Sequence, residues 1–257
     1  MRNISRAVLG LLLVNIAVFA AGFLLRNGRE QIIGLGALWY PDNPHFGLWQ
    51  VVTYMFLHGG FGHIFFNMYA LVSFGTILER EWGATRFLVF YFLCGIGAGL
   101  VQLGVNGYEF SELHSRLVAA GLTPKAIAAI LASGGGDLPA NPAVKQLVID
   151  LYQIYIAPTL GASGAIYGLL VAFGCLHPNA KLSLMFVPVP IAAKFFIPII
   201  VGLDLFSGVT GFSLFGGGVA HFAHVGGAAI GFFLMLIWRN RSQVIVEPPS
   251  FLRDPQR

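Results

Sequence analysis

Six long runs of apolar residues constrain this chain more than any other feature of its sequence. They lie at residues 6–25, 51–78, 86–105, 160–177, 188–207 and 219–238. A helix of about 20 apolar residues crosses the hydrocarbon layer of a bilayer, so the runs predict six transmembrane helices. Because 56% of the residues are hydrophobic and only 10% are charged, a soluble core could not enclose this apolar surface. The sequence therefore predicts an all-α polytopic membrane protein.

The basic residues predict how these spans are oriented. If both termini are cytoplasmic, the inner segments hold ten of the 15 Lys and Arg residues and the outer loops hold five, as the positive-inside rule requires. The first run follows Arg2 and Arg6 and would also suit a signal peptide, but residues 7–25 are long enough to span. We therefore interpret it as a retained helix and predict a multi-pass protein of a prokaryotic cytoplasmic membrane.

The spans predict one membrane domain over residues 1–238 and a short cytoplasmic tail over residues 239–257. The outer loop between spans three and four, residues 106–158, is long enough to form its own helices. Residues 111–120 predict one helix, and Thr123 with Pro124 supplies the N-cap and first-turn proline of a second. We expect a helical extracytoplasmic insert.

Charge and cysteine content exclude two classes of function. The formal net charge is +4, but the basic residues are scattered singly and form no patch for nucleic acid. The two cysteines, Cys94 and Cys175, lie far apart within apolar runs. Their spacing indicates neither a disulfide framework nor a Cys-x-x-Cys metal site.

Polar side chains inside the predicted spans are costly to bury, and they collect in three short segments. The segments contain His58, His63 and Asn67 on span two, Gly161 to Gly164 with Ser163 on span four, and His221 and His224 on span six. Spans two, four and six run in the same direction, and each polar segment lies toward the outer end of its span. The three segments are therefore predicted to share one depth in the membrane.

The residue types at this depth suit acyl transfer. The Ser163 hydroxyl needs a general base, which His224 or His221 can supply as a neutral imidazole. His63 and Asn67, four residues apart, present donors on one helix face that could stabilise an oxyanion, a role in which losing one donor costs about 10² to 10³ in rate.

Small residues predict that spans four and six approach each other closely. They are Gly161, Gly164 and Gly168 on span four, and Gly227 and Gly231 on span six. Span five carries Pro188, Pro190 and Pro198, which predict a weakened helix there.

At these residues the sequence resembles the rhomboid family of intramembrane serine proteases. The matching motifs are His58-x4-His63-x3-Asn67, Gly161-x-Ser163-Gly164 and Ala223-His224-x-x-Gly227. A single Gly-x-Ser-Gly would be weak, but three motifs in order on the appropriate spans are specific. The resemblance covers about residues 45–238 and implies a six-transmembrane-helix rhomboid-like bundle.

The resemblance also implies roles for individual residues. Ser163 corresponds to the family nucleophile and His224 to its base, while His63 and Asn67, with the Ser163 backbone amide, correspond to the oxyanion-stabilising groups. Tyr167 lies where family members stack an aromatic ring near the histidine. The implied activity is that of a serine endopeptidase that cleaves single-pass transmembrane proteins in the lipid bilayer through a Ser-His dyad and an acyl-enzyme. It implies no metal and no cofactor.

Two residues compete for supporting roles. His221 is an alternative base, but only His224 is preceded by Ala223 and followed three residues later by Gly227. We therefore interpret His221 as a hydrogen-bonded neighbour of the site or as a residue that lines its cavity. Asp204, near the outer end of span five, could orient a histidine and complete a triad. The resemblance implies a dyad instead.

Two other functions remain open at this point. Four histidines at one depth could hold zinc in a membrane metalloprotease or a metal transporter, although the sequence lacks the His-Glu-x-x-His motif. A catalytically inactive relative that binds membrane helices is the third possibility. Such relatives usually lack the serine or the histidine, and this chain has both Ser163 and His224.

Overall fold

A computed structural model of the chain describes residues 4–134, 138–184, 187–212 and 220–242. Over these residues, five helices are long and apolar enough to cross a membrane, and a sixth apolar helix has 14 residues. The six follow the order of the six predicted spans. The prediction of an all-α polytopic bundle is confirmed, since the strands of the described residues form a single short hairpin.

The described elements follow one another along the chain in a simple order. They are α1 (Arg6–Leu24), α2 (Gly28–Gly36), α3 (Gln50–Thr53), a 3-10 turn (Tyr54–Phe56), α4 (Phe61–Ala70), a π-helical turn (Leu71–Gly75), α5 (Thr76–Trp82), α6 (Ala84–Ala119), α7 (Pro124–Ala132), α8 (Pro142–Ile156), α9 (Ser163–Leu176), β1 (Lys181–Leu184), β2 (Val187–Ala192), α10 (Ala193–Thr210) and α11 (His221–Ser242). Strands β1 and β2 pair antiparallel, with Lys181 opposite Ala192. Helix α11 packs against α9, α6 and α10.

The second span begins later than the sequence predicted. Helix α4, the π-helical turn and α5 run together over Phe61–Trp82, whereas the apolar run starts at residue 51. Residues 51–56 of that run belong instead to α3 and the 3-10 turn. In the turn, Tyr54 is buried and its hydroxyl donates to the Gly95 carbonyl at 2.6 Å. Composition could not reveal this break because the residues on both sides of it are apolar.

Helix α6 is longer than the predicted third span. Its 36 residues extend about 54 Å, which exceeds the hydrocarbon layer of about 30 Å, so the helix is longer than a single crossing requires. The prediction of a separate helix at residues 111–120 is wrong, because α6 continues without a break to Ala119. The predicted start of α7 is confirmed: Thr123 is its N-cap, accepting from the Ala126 amide, and Pro124 is its first residue.

The insert formed by the end of α6 together with α7 and α8 has a small apolar core of its own. This core contains Phe110, Leu117, Ile127, Val148 and Leu151. Two contacts join it to the loop before α3: the Tyr40 and Phe110 rings stack with centroids 4.5 Å apart, and the Asn43 amide donates to the Tyr155 carbonyl at 2.8 Å. The insert is therefore anchored to the loop that precedes α3.

The fifth span also differs from its prediction. Helix α10 begins at Ala193 rather than at residue 188, and Pro188 and Pro190 lie in strand β2. Only Pro198 lies inside the helix, so the prediction of three helix-weakening prolines is wrong. At the other end of the chain, α11 extends to Ser242, and residues 243–257 of the predicted tail lie outside the described residues.

Glu79 in α5 binds the start of α1. Its carboxylate accepts the backbone amides of Ala7 and Val8, each at 2.9 Å, and the Ser5 hydroxyl. Amides at a helix N-terminus have no partner within the helix, and the helix dipole favours a negative charge there. The first helix is thus held to the end of the second span.

Candidate active site

Two residues of the predicted site are in direct contact. The Ser163 hydroxyl oxygen lies 2.7 Å from His224 Nε2, although the residues are 61 positions apart. Ser163 is the first residue of α9, and His224 lies in the first turn of α11. The first turns of α9 and α11 therefore lie side by side.

Close packing of α9 against α11 makes this contact possible. A Cβ atom built on Gly227 would lie 1.9 Å from the Gly164 carbonyl oxygen, and one built on Gly231 would lie 2.7 Å from the Gly168 Cα. Neither distance is compatible with a side chain. The glycines let the two backbones approach, as the small-residue pattern predicted.

The start of α9 is fixed by backbone hydrogen bonds. Leu38 and Thr159 exchange two bonds of 2.9 Å, and the Gly161 amide donates to the Tyr54 carbonyl at 2.9 Å. Gly161 has φ +127°, a conformation that favours glycine. The N-cap of α9 is Ala162, without a side-chain cap, so the Ser163 hydroxyl does not serve as a helix cap.

The imidazole of His224 is held on its face and at its second nitrogen. The Tyr167 ring stacks on it, with centroids 4.3 Å apart and an interplanar angle of 12°. His224 Nδ1 lies 3.1 Å from Asp204 Oδ1. Because an ionised carboxylate can only accept, Nδ1 carries the proton and Nε2 is free to accept from Ser163.

Asp204 contacts both histidines of the third polar segment. His221 Nδ1 lies 2.6 Å from Asp204 Oδ1, and the Tyr167 hydroxyl donates to Asp204 Oδ2. His221, the alternative base, thus hydrogen-bonds to Asp204, while His224 reaches Ser163. Sequence reasoning considered Asp204 only as a less favoured third residue. The distances follow from the packing of α10 on α11, which no local motif encodes.

His63 lies beside the start of α9 and has a defined tautomer. The Gly59 amide donates to His63 Nδ1 at 3.3 Å, so the neutral ring carries its proton on Nε2. A Cβ atom on Gly161 would lie 2.7 Å from His63 Nε2 and 3.7 Å from the Ser163 hydroxyl oxygen. The His63 N–H donor and the serine hydroxyl therefore flank the same glycine.

His58 packs on this ring, and Asn67 bonds to the backbone of His63. His58, which precedes α4, packs edge to face on His63 with centroids 5.0 Å apart. Burial, with a smaller contribution from His63, lowers the pKa of His58 to about 3, so it stays neutral. The Asn67 amide donates to the His63 carbonyl at 3.0 Å, which leaves its second N–H unused by that bond.

One group of residues is close enough to hold a metal ion. Among the described residues, ligand atoms of Asp204, His221 and His224 lie within 4.8 Å of one another. Two imidazoles and a carboxylate form a ligand set that zinc accepts. In the structure, Nδ1 of each histidine lies within hydrogen-bond distance of Asp204 Oδ1.

Comparison with known proteins extends the similarity over most of the chain. Residues 45–241 match the rhomboid domain. The chain is 31% identical over 225 residues, 87% of its length and 55% of the relative's, to RHOMBOID-like protein 12, mitochondrial, of Arabidopsis thaliana. It is 26% identical over 247 residues, 90% of its length and 71% of the relative's, to Rhomboid protease AarA of Providencia stuartii.

A third relative bears on catalytic competence. Inactive RHOMBOID-like protein 8 of Arabidopsis thaliana is 34% identical over 65 residues, 25% of this chain and 18% of that protein. The chain spans about half the length of the Arabidopsis mitochondrial relative. Because the relatives include both a protease and an inactive protein, the similarity alone does not decide whether this chain is active.

Proposed function

Because the chain belongs to the rhomboid family, we propose that it is a serine endopeptidase that hydrolyses peptide bonds of single-pass transmembrane proteins within the bilayer. One observation carries the proposal: the Ser163 hydroxyl oxygen lies 2.7 Å from His224 Nε2. That distance suits proton transfer from a nucleophile to its general base. Both residues stand at the start of apolar helices, where unpaired polar groups are costly.

The first step would form the tetrahedral intermediate that precedes the acyl-enzyme. Ser163 Oγ attacks the carbonyl carbon, its proton passes to His224 Nε2, and the carbonyl π electrons move onto the oxygen. The backbone amide of Ser163 at the N-terminus of α9, His63 Nε2–H and the Asn67 amide are the donors assigned to this oxyanion.

The second step would release the amine. The tetrahedral intermediate collapses, its C–N bond breaks, and the leaving nitrogen takes the proton from His224 Nε2. An ester to Ser163 remains. Water then attacks this ester, giving a proton to His224, and the Ser163 oxygen leaves with that proton to restore the free hydroxyl.

The proposed substrate class follows from the depth of the site. Helix α9 has 14 residues, about 21 Å, which is less than the hydrocarbon layer of about 30 Å. Its first residue would therefore lie below the membrane surface. The peptide bonds of a membrane helix are tied into its own hydrogen bonds, so a substrate with small residues beside a helix-destabilising stretch is favoured.

The cellular membrane is a separate question. Family membership and the helices support a multi-pass integral membrane protein. The relatives do not support the prediction of a prokaryotic cytoplasmic membrane, because they include a protein that is mitochondrial by name as well as one from a bacterium. We keep the orientation with both termini on the cytoplasmic side as a proposal, because ten of 15 basic residues would then lie there.

A zinc-dependent protease is the second candidate, because Asp204, His221 and His224 form a possible ligand group.

We expect the purified full chain in proteoliposomes to cleave a single-pass helix with a glycine-containing, small-residue stretch near its outer end. A chelator should leave the rate unchanged, and a serine-directed inhibitor should stop the reaction. Loss of cleavage with chelator and recovery with Zn²⁺ would favour the metalloprotease. If the chain neither cleaves the substrate nor is labelled by a fluorophosphonate, it is an inactive relative.

A further inference from the structure

The carboxylate of Asp204 is the meeting point of three helices. It lies on α10, receives the Tyr167 hydroxyl from α9, and contacts His221 and His224 of α11. Its side chain is 10% exposed. A charged side chain within a membrane span is costly unless it is paired, and here three donors from two other helices satisfy one carboxylate.

We propose that Asp204 is a positioning residue of this protease, accepting His224 Nδ1–H so that Nε2 faces Ser163. The inference rests on the proposed function and adds a third member to its dyad. The relevant distances are 3.1 Å from Asp204 Oδ1 to His224 Nδ1 and 2.7 Å from His224 Nε2 to the Ser163 hydroxyl oxygen.

Tautomer control is the physical reason for this role. A neutral imidazole carries its proton on either nitrogen, and it is a base toward Ser163 only when the proton is on Nδ1. The carboxylate of Asp204 has no proton to donate, so it selects that tautomer. After Ser163 gives up its proton, the same carboxylate lies beside the imidazolium and stabilises its charge.

Two further hydrogen bonds hold this carboxylate in place. His221 Nδ1 lies 2.6 Å from Oδ1, and the Tyr167 hydroxyl binds Oδ2. Tyr167 also stacks on the face of His224 at 4.3 Å. Tyr167 therefore orients both His224 and the Asp204 carboxylate that sets the tautomer of His224.

Asp204 could instead serve only to join α10 to its neighbours, and the test must separate these roles. We would measure fluorophosphonate labelling of the full chain in proteoliposomes for wild type and Asp204→Asn, recording both the rate constant and the final labelled fraction. An amide can turn a donor toward His224 and favour the wrong tautomer. We expect a labelling rate constant lower by about 10² to 10⁴ and an unchanged final fraction. For cleavage of a transmembrane substrate by the same variant, we expect a lower kcat at nearly constant KM.

Thr210→Val is the matched control on the same helix. Its hydroxyl donates to the Phe206 carbonyl at 2.7 Å, within α10, and its loss should leave the labelling rate at the wild-type value. Should Asp204→Asn fail to fold, Tyr167→Phe keeps the stacked ring and removes only the hydroxyl on Oδ2. That variant should label more slowly than wild type.

Three outcomes would overturn the inference. They are a wild-type rate constant in Asp204→Asn, a smaller labelled fraction that reacts at the wild-type rate, and, where Asp204→Asn does not fold, a wild-type rate in Tyr167→Phe. The second outcome would mean that Asp204 maintains the folded population only. If wild-type protein were not labelled at Ser163 at all, the proposed function would fail instead, so the two failures are distinguishable.

Discussion

Substitution of Ser163 by alanine is expected to reduce cleavage of a transmembrane substrate by about four orders of magnitude or more. The change removes the nucleophilic oxygen and its 2.7 Å contact with His224. Folding should be unaffected, because the N-cap of α9 is Ala162 and the cap uses no side chain. The measurement is the initial cleavage rate in proteoliposomes, accompanied by the thermal unfolding midpoint.

Ser133→Ala is the matched control for this variant. The Ser133 hydroxyl is exposed at the end of α7 and donates to the Ile130 carbonyl, far along the chain from the site. We expect the wild-type rate from this control. Cleavage by Ser163→Ala at a rate near that of the control would rule out a serine mechanism at this position.

Substitution of Gly227 by alanine is expected to have the second largest effect, because it forces α9 and α11 apart. The new Cβ would lie 1.9 Å from the Gly164 carbonyl oxygen, well inside van der Waals contact. Overpacking of this kind costs about 3 kcal/mol, and a displacement of about 1 Å at a reacting pair costs about 10² in rate. We expect both a lower unfolding midpoint and at least this loss of activity.

Gly104→Ala is the opposite case on α6. A Cβ there would meet no atom of the described residues within 4 Å, and replacing a helical glycine by alanine stabilises a helix by up to about 1 kcal/mol. Its midpoint should be unchanged or higher. Equal midpoints for Gly227→Ala and Gly104→Ala would contradict the close packing of α9 and α11.

The parts of the fold that depend on local composition could be predicted from the sequence. A bilayer requires a long apolar segment, so the existence and order of the membrane helices could be predicted, although the second span begins later and the third ends later than the sequence predicted. The meeting of Ser163 with His224 could be expected because polar groups in such segments need partners. The insert's α7 could be placed because Thr123 and Pro124 are helix-start residues.

The remaining differences depend on contacts that a sequence pattern does not contain. Residues 111–119 join α6, which contains no proline that would end the helix earlier, and composition placed the boundary where polarity changed. Pro188 and Pro190 lie in a strand because β2 pairs with β1. The position of Asp204 beside two histidines depends on how α10 packs against α11, and helical spacing on span five alone could not reveal it.

The most direct test of the account is to locate the residue that a fluorophosphonate modifies. Peptide mass mapping of labelled protein should find one adduct, on Ser163, and the labelling rate of His224→Ala should fall by orders of magnitude, because the base that accepts the serine proton is gone. An adduct on another residue, or labelling of His224→Ala at the wild-type rate, would contradict the assignment of Ser163 and His224 as nucleophile and base.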